Sequence, residues 1–338
     1  MDSDRSRDAR RSAIAVAGLG IAALGLLAIV GRALQRSSPS TAMAGKRLSS
    51  SGARPEAEDA PDEERRPTVA AARRLNRAAG ILAFSVLADS GLEHYRGAFK
   101  NRAMFVAPVV SALTLAISAH GLADARPIVH RLRHVVYALA GLTGLGGTAL
   151  HVYNIRKRPG GFSWLNLFYG APLGAPGAIA LAGLLGYAGE WVRGIPAGPG
   201  ADLFGLPAGR MLAGLTSGGL LAVTGEVWLL HFRGAFQNPA MFAPVILPPA
   251  SAILLANAAV RAKGMDRWLT RRALRATALL GFAGTGFHAY GISRQMGGWR
   301  NWSQNILSGP PLPAPPSFTG LALAGLAALG LMEDHPDA

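Results

Sequence analysis

Long apolar stretches alternate with short polar loops along most of the chain. About 20 residues at 1.5 Å each cross the hydrocarbon layer of a bilayer, so a nearly uncharged window of that length is a candidate transmembrane helix. Nine such windows lie near residues 12–31, 74–92, 103–121, 135–153, 175–192, 211–230, 241–260, 274–291 and 317–333. The pattern predicts an all-α, polytopic membrane protein with about nine transmembrane helices.

Composition and charge support this class. Half of the residues are hydrophobic and only 16% are charged, against about a quarter charged in soluble domains. The net charge is +15, but the basic residues lie in loops between the windows, where topology and anionic lipid explain them. We therefore expect the lipid bilayer, and no nucleic acid, as partner. The chain has no Cys, which excludes disulfides and thiolate metal sites.

A repeated motif divides the chain into two halves. His94–Phe99 reads HYRGAF, and His231–Phe236 reads HFRGAF 137 positions later. We interpret the match as a tandem duplication and predict two four-helix membrane repeats over residues 69–192 and 203–333. An even number of spans inserts both copies in the same sense, as in the parallel repeats of some transporters.

The N-terminal region precedes these repeats. Residues 1–35 combine a basic segment with an apolar helix, which we interpret as an uncleaved anchor or, alternatively, as a signal peptide cleaved near Ala42–Ala44. Residues 36–68 are rich in Ser, Ala, Pro, Arg and Glu without an apolar period, and this composition predicts a disordered linker.

Loop charge predicts the orientation in a cell inner membrane. One face collects 16 basic residues and the other 9, so the positive-inside rule places the first face in the cytoplasm. The duplicated loops then face the periplasm. The N-terminus opposes this orientation, because a spanning helix at 12–31 would place Arg5–Arg11 outside. The conflict disappears if that window does not span the membrane.

Four duplicated histidines are the candidate ligands. His94 and His151 are expected at the same membrane surface, as are His231 and His288. Small residues and a hydroxyl precede the second His of each pair by three, four and seven positions, which is one helical stripe. They are Gly144, Gly147 and Thr148 in the first half, and Gly281, Gly284 and Thr285 in the second.

A flat strip beside an imidazole could accommodate haem b, with a His from a facing helix as second axial ligand. Arg96 and Arg233 would pair with the propionates. A mononuclear Zn, Cu or non-haem Fe site is the alternative, built from the histidines and the matched acids Asp89 and Glu226.

A purely structural interpretation also stands. Gly-x-x-Gly in a membrane helix is more often a packing face, and the His-x-Arg-Gly loops could be turns in which Gly97 and Gly234 adopt a positive φ. His120, His130 and His134 have no counterparts in the second half, so we predict ordinary surface or loop positions for them.

No motif in the chain identifies a reaction, so whether it is an enzyme stays open. The first hypothesis is a membrane redox subunit whose duplicated outer-face His site binds haem b or another metal. The alternatives are a non-catalytic anchor or assembly protein for a periplasmic partner, and a small-solute transporter. A bound chromophore, a co-purifying soluble subunit and solute flux into liposomes distinguish the three.

Overall fold

Long α-helices make up most of the computed structural model. The structure describes residues 60–195, 202–203, 205–260 and 267–334. The window at 12–31, the predicted N-terminal segment and the linker up to residue 59 lie outside the described residues. The last part of that predicted linker is helical, because the first described helix already begins at Ala60.

Two similar series of helices follow one another. The first half contains α1 (Ala60–Arg96), α2 (Val106–Ala123), α3 (Arg131–Arg156), α4 (Trp164–Tyr169) and α5 (Gly174–Gly194). A short antiparallel hairpin, β1 (Asp202–Leu203) and β2 (Leu206–Pro207), leads to the second half. This half contains α6 (Ala208–Arg233), α7 (Ala243–Val260), α8 (Trp268–Ser293), α9 (Trp302–Ser308) and α10 (Pro316–Asp334).

The second and third helices of the two halves match in length. Helices α2 and α7 both have 18 residues, and α3 and α8 both have 26. Each second member begins 137 positions after the first, which is the spacing of the repeated motif. A four-residue 3-10 turn precedes α2 and another precedes α7, so the loops match as well as the helices.

The first and last long helices of each half form an inner layer. Helix α1 packs against α5 and α10, while α6 packs against α5 and α10. The outer helices cover this layer, with α2 and α3 on the first half and α7 and α8 on the second. The core consists largely of inner-layer side chains, among them Leu75, Leu82, Ile179, Leu185, Leu212, Leu220, Leu321 and Leu329.

Helix α2 shows the reverse of the pattern found in a soluble protein. Its buried positions include Ser111, Thr114 and Ser118, whereas Val109 is 55% exposed and Leu113 is 50% exposed. A soluble amphipathic helix buries its apolar stripe instead. Small polar residues toward neighbouring helices and aliphatic residues outward are typical of a helix that faces lipid.

Within the part of the chain described, five helices are long and apolar enough to cross a membrane. They cover Arg102–Ala123, Arg131–Arg156, Ala208–Arg233, Pro239–Val260 and Pro316–Glu333. The prediction of a mostly helical chain with several membrane-compatible helices is therefore confirmed. The windows predicted three more spans in this region, in α1, α5 and α8. Charged residues, such as Arg73 and Glu190, are interspersed with the apolar ones there.

Candidate functional site

The first histidine of each half fixes the loop that follows it. His94 Nδ1 is hydrogen-bonded to the carbonyl oxygen of Met104, and His231 Nδ1 lies 2.8 Å from that of Met241. A carbonyl oxygen only accepts, so each ring donates its Nδ1 proton, and in the neutral imidazole the lone pair is then on Nε2. Both rings are half-buried.

The second histidine of each half makes a similar contact with the Pro-rich segment before the last helix. His151 Nδ1 is hydrogen-bonded to the carbonyl oxygen of Pro172, and His288 Nδ1 lies 2.7 Å from that of Pro311. All four imidazoles therefore have the same tautomer. Metal-ligating histidines are commonly oriented by such a bond from the non-ligating nitrogen.

The histidines form two pairs at one end of the bundle, which we call the histidine end. His94 is close enough to His151 for their charges to interact, and the same holds for His231 and His288. In each pair one ring comes from the end of the first helix of its half and the other from the third helix. The arrangement brings two imidazoles, each with a free Nε2 lone pair, into one region.

The loop after each first histidine has an unusual backbone. Ala98 and Phe99 have φ values of +54° and +45°, and Ala235 and Phe236 have +57° and +45°. The sequence analysis placed the positive φ at the preceding glycine, but in the structure it occurs at the two residues after it, and a Cβ on Gly97 would meet only the flexible end of Met104, at 2.8 Å from its Cε. Left-handed backbone at non-glycine residues is uncommon and costs about 1 kcal/mol or more per residue.

Contacts with neighbouring aromatic side chains hold Phe99 in this loop. Its ring stacks on Phe105 at 4.3 Å and meets the His94 ring edge-on at 6.0 Å. The matching residues of the second half stack at 4.6 Å. These contacts offset the backbone strain, so the loop and the imidazole form one rigid unit.

The glycine strip is covered by the last helix of each half. A Cβ on Gly144 would lie 2.3 Å from the backbone nitrogen of Ala180, and one on Gly281 would lie 2.1 Å from Thr319 Oγ1. Gly147 and Gly284 approach Pro176 and Pro315 in the same way. The expected open space for a planar cofactor on this face is therefore filled by packed helices.

The two threonines of the strip are engaged within their own helices. Thr148 Oγ1 donates to the carbonyl oxygen of Gly144 at 2.9 Å, and Thr285 Oγ1 donates to that of Gly281 at 3.2 Å. Hydroxyls bonded to a carbonyl one turn earlier contribute no donor proton to a ligand. The structural interpretation of the strip thus accounts for its geometry.

Each predicted propionate partner already has a contact. Arg96 forms an ion pair with Glu93. Arg233 Nη1 donates to the carbonyl oxygen of Phe168 at 2.9 Å, and its guanidinium lies 5.2 Å from the centre of the Tyr169 ring. Arg233 therefore joins the second half to the end of α4 in the first half.

The acids Asp89 and Glu226 lie near the contact between the two halves. Glu226 accepts a hydrogen bond from the backbone nitrogen of Leu173 at 3.2 Å, at the N-terminus of α5, where a carboxylate stabilises unpaired amides. Asp89 is half-buried and close enough to Glu226 for the two charges to interact. This hydrogen bond gives Glu226 a structural role, as a cap at the N-terminus of α5.

No cluster of three or more His, Cys, Asp or Glu residues that could hold a metal ion occurs among the described residues. The arrangement therefore offers two imidazoles per half and no third protein ligand. Mononuclear zinc, copper and non-haem iron sites generally use three or four protein ligands, whereas haem iron takes at most two from the protein.

A buried ion-pair network at the opposite end escaped the sequence analysis. Arg133 and Arg193 are 1% and 0% exposed at their side chains. Arg133 Nε lies 2.7 Å from Glu190 Oε2 and its Nη1 lies 3.0 Å from Asp124 Oδ2. Arg193 Nε lies 3.3 Å from Glu190 Oε1. Two arginines thus share two carboxylates away from water.

The same network involves three histidines that the sequence analysis interpreted as ordinary surface or loop residues, and that interpretation is wrong for His134, whereas His120 is exposed and His130 lies in a loop. His134 is buried and packs against Tyr187 at a ring distance of 4.6 Å. His130 Nε2 lies 3.0 Å from Asp124 Oδ2, and His120 Nδ1 accepts from Arg133 at 3.2 Å. Arg133 and Glu190 lie 57 positions apart, and no local pattern indicates a pairing over that distance.

The Arg126 side chain donates a hydrogen bond to Asp124. This bond is the main reason that the pKa of the Asp124 carboxyl lies below its usual range. Burial acts in the opposite direction, and a hydrogen bond from Arg133 lowers the pKa further. Asp124 therefore stays charged to unusually low pH.

The comparisons with known proteins give no further assignment. No family model, no curated protein and no solved structure matches the chain. The class of protein is defined by the molecule itself: a mostly helical chain with several membrane-compatible helices and two histidine pairs at one end.

Proposed function

We propose that the chain is a multi-pass protein of the cell inner membrane, built from two tandem four-helix repeats. The inverted pattern of α2, with serine and threonine inward and aliphatic side chains outward, supports the membrane location. The equal lengths of α2 and α7 and of α3 and α8, together with the 137-position spacing of their starts, support the duplication. The excess of basic residues at the opposite end favours a periplasmic histidine end.

Within this frame the protein acts as a membrane redox subunit, and each repeat binds one haem b through its histidine pair. The observation that carries this is the common geometry of the four imidazoles: each Nδ1 donates to a backbone carbonyl, so in the neutral ring the lone pair is on Nε2. Backbone-anchored imidazoles in pairs are the protein contribution to a six-coordinate haem.

The number of ligands favours haem over a mononuclear metal. Two histidines complete the axial positions, and the macrocycle supplies the other four nitrogens. The macrocycle would have to lie away from Gly144 and Gly281, because the last helix of each half covers those glycines. The exposed aromatic side chains at the histidine end, such as Tyr95 and Tyr153, offer apolar surface for its edges.

A reduced-minus-oxidised absorption spectrum of detergent-purified protein, expressed with adequate haem, tests the proposal. We expect an α band and a Soret shift, with two haems per chain. His151→Ala should remove about half of the bound haem, whereas the exposed His120→Ala at the opposite end should remove none. A spectrum without these bands, or a full haem content in His151→Ala, would overturn the proposal.

A second candidate is a non-catalytic anchor or assembly protein for a periplasmic partner. The exposed aromatic and sulfur side chains in the loops of the histidine end favour it: Trp164 is 68% exposed and Met296 is 92% exposed. Large exposed apolar side chains beside arginines are typical of interaction surfaces. A colourless and metal-free protein that co-purifies with a soluble subunit would support this function instead.

A further inference from the structure

An arginine-lined cleft lies at the opposite end of the bundle from the histidines. It has a volume of about 220 Å³ and is lined by Ala70, Arg73, Arg74, Arg77 and Leu122. All three arginines come from one exposed face of α1. Drug-sized ligands occupy about 300–1,000 Å³, so the cleft suits a smaller group.

Arg74 and Arg77 lie apart from the ion pairs that the structure describes. The carboxylates of Asp124 and Glu190 are paired with Arg133. That of Glu333 is paired with Arg271. Among the carboxylates whose side chains the structure describes, none forms an ion pair with Arg74 or Arg77, so the arginines of the cleft favour an anion.

One of the three arginines is fixed in place. Arg73 Nε donates to the carbonyl oxygen of Leu122 at 2.7 Å, at the end of α2. This bond holds the guanidinium at the rim of the cleft, and its terminal nitrogens remain available. Arg74 passes close to α10, where its Nη1 would lie 3.3 Å from a Cβ on Gly330. The cleft is therefore bounded by three helices.

The position of the cleft along α1 corresponds to the level of a membrane surface. Arg73 and Glu93 are 20 positions apart on α1, which is about 30 Å at 1.5 Å per residue and equals the usual hydrocarbon thickness. Since Glu93 lies beside His94 at the histidine end, Arg73 lies at the level of the other headgroup layer. Basic pockets between helices on the cytoplasmic side bind anionic headgroups.

Two of the three arginines are specific to the first half, whereas the position 137 residues after Arg73 is Arg210. The positions 137 residues after Arg74 and Arg77 are Met211 and Gly214. If these arginines served only a general attraction between the cytoplasmic surface and lipid, the second half would be expected to carry them too. We propose that this arginine cleft binds the phosphate group of an anionic ligand, with Arg74 and Arg77 as the main contacts. The site rests on the proposed membrane location but not on haem.

Native mass spectrometry of the full chain, released from micelles with added phosphatidylglycerol or cardiolipin, tests the site. We expect one tightly held anionic lipid in wild type. Arg74→Gln/Arg77→Gln should weaken its binding about thirtyfold, at roughly fivefold per arginine near a membrane surface. Arg210→Gln, an exposed arginine of the second half outside the cleft, should leave it unchanged.

Two further measurements show whether the phosphate group belongs to a lipid or to a soluble compound. Phosphatidylcholine should not replace the anionic lipids. Competition by millimolar inorganic phosphate would assign the site to a soluble phosphate compound, and no competition assigns it to a lipid. Equal anionic-lipid binding by wild type and the double variant would overturn the cleft, even if the spectrum confirms haem. Loss of haem with lipid binding intact would overturn only the redox proposal.

Discussion

Glu226, on a helix of the second half, accepts a hydrogen bond from the backbone nitrogen of Leu173 in the first half. The carboxylate lies at the N-terminus of α5, where amides have no partner within the helix. We expect Glu226→Ala to lower the free energy of unfolding in detergent by about 1–2 kcal/mol. Asp89→Ala, which removes an acid without such a bond, should have a smaller effect in the same thermal-unfolding assay.

Two glycines of α8 make a matched pair for helix packing. A Cβ on Gly281 would lie 2.9 Å from the carbonyl oxygen of Pro315, whereas a Cβ on Gly286 would meet nothing within 4 Å. Gly281→Ala should therefore destabilise the protein by about 1–3 kcal/mol. Gly286→Ala should stabilise it by up to about 1 kcal/mol through helix propensity. Equal melting temperatures for the two variants would contradict the packing role.

At Ala98, where the backbone is left-handed, we expect substitution by glycine to stabilise the protein. Ala98→Gly should raise the free energy of unfolding by up to about 1 kcal/mol, because glycine adopts φ = +54° without strain. Ala103→Gly, in the adjoining 3-10 turn, should lower it, since glycine there only adds entropy to the unfolded chain. Thermal unfolding of both variants in one detergent checks the contrast.

Glu190 is the centre of the buried network. Glu190→Ala leaves Arg133 and Arg193 buried without this carboxylate, and such a change typically costs about 3–5 kcal/mol. Glu333→Ala breaks a pair that is 38% exposed at the carboxylate, so it should cost less than about 1 kcal/mol. A similar loss of stability in the two variants, measured in detergent, would show that the network contributes no more than a surface pair.

Acid should weaken the same end of the molecule through Asp124. Its pKa is lowered from an ordinary value of 3.8, so its contribution to stability is complete above that value and is lost as the pH falls through the lower pKa of the folded state. Asp124→Asn should be less stable than wild type at pH 7, and the difference should shrink below pH 3.8. Melting temperatures from pH 7 to 3 measure it.

Sequence patterns predicted the helices well because one physical rule dominates them. Lipid-facing residues must be apolar over about 20 positions, and windows such as 103–121 and 241–260 consequently mark α2 and α7. The start of α1 was missed, since its first residues are charged and resemble a linker. The repeated HYRGAF motif indicated a structured loop, although the strained residues are Ala98 and Phe99 rather than Gly97.

The ion-pair network could not be predicted, for a different reason. Its members come from separate loops and helices, and each looks like an ordinary loop or helix-end charge in the sequence. Only the packing of α3 on α5 brings Arg133 to Glu190. The position 137 after Arg133 is the buried Thr270, so the repeated sequence pattern gave no indication of the network either.

The contacts within the inner layer also make each half of the chain depend on the other. Ser85 of α1 donates to the carbonyl oxygen of Pro313 in the second half, and a Cβ on Gly320 of α10 would lie 3.0 Å from Leu82 Cγ. Each half thus supplies part of the wall against which the other packs. On the proposed duplication, the molecule resembles a dimer whose subunits are joined by a covalent link, which fixes their one-to-one ratio and lets the two halves diverge. Either half synthesised alone would expose an unmatched helix face.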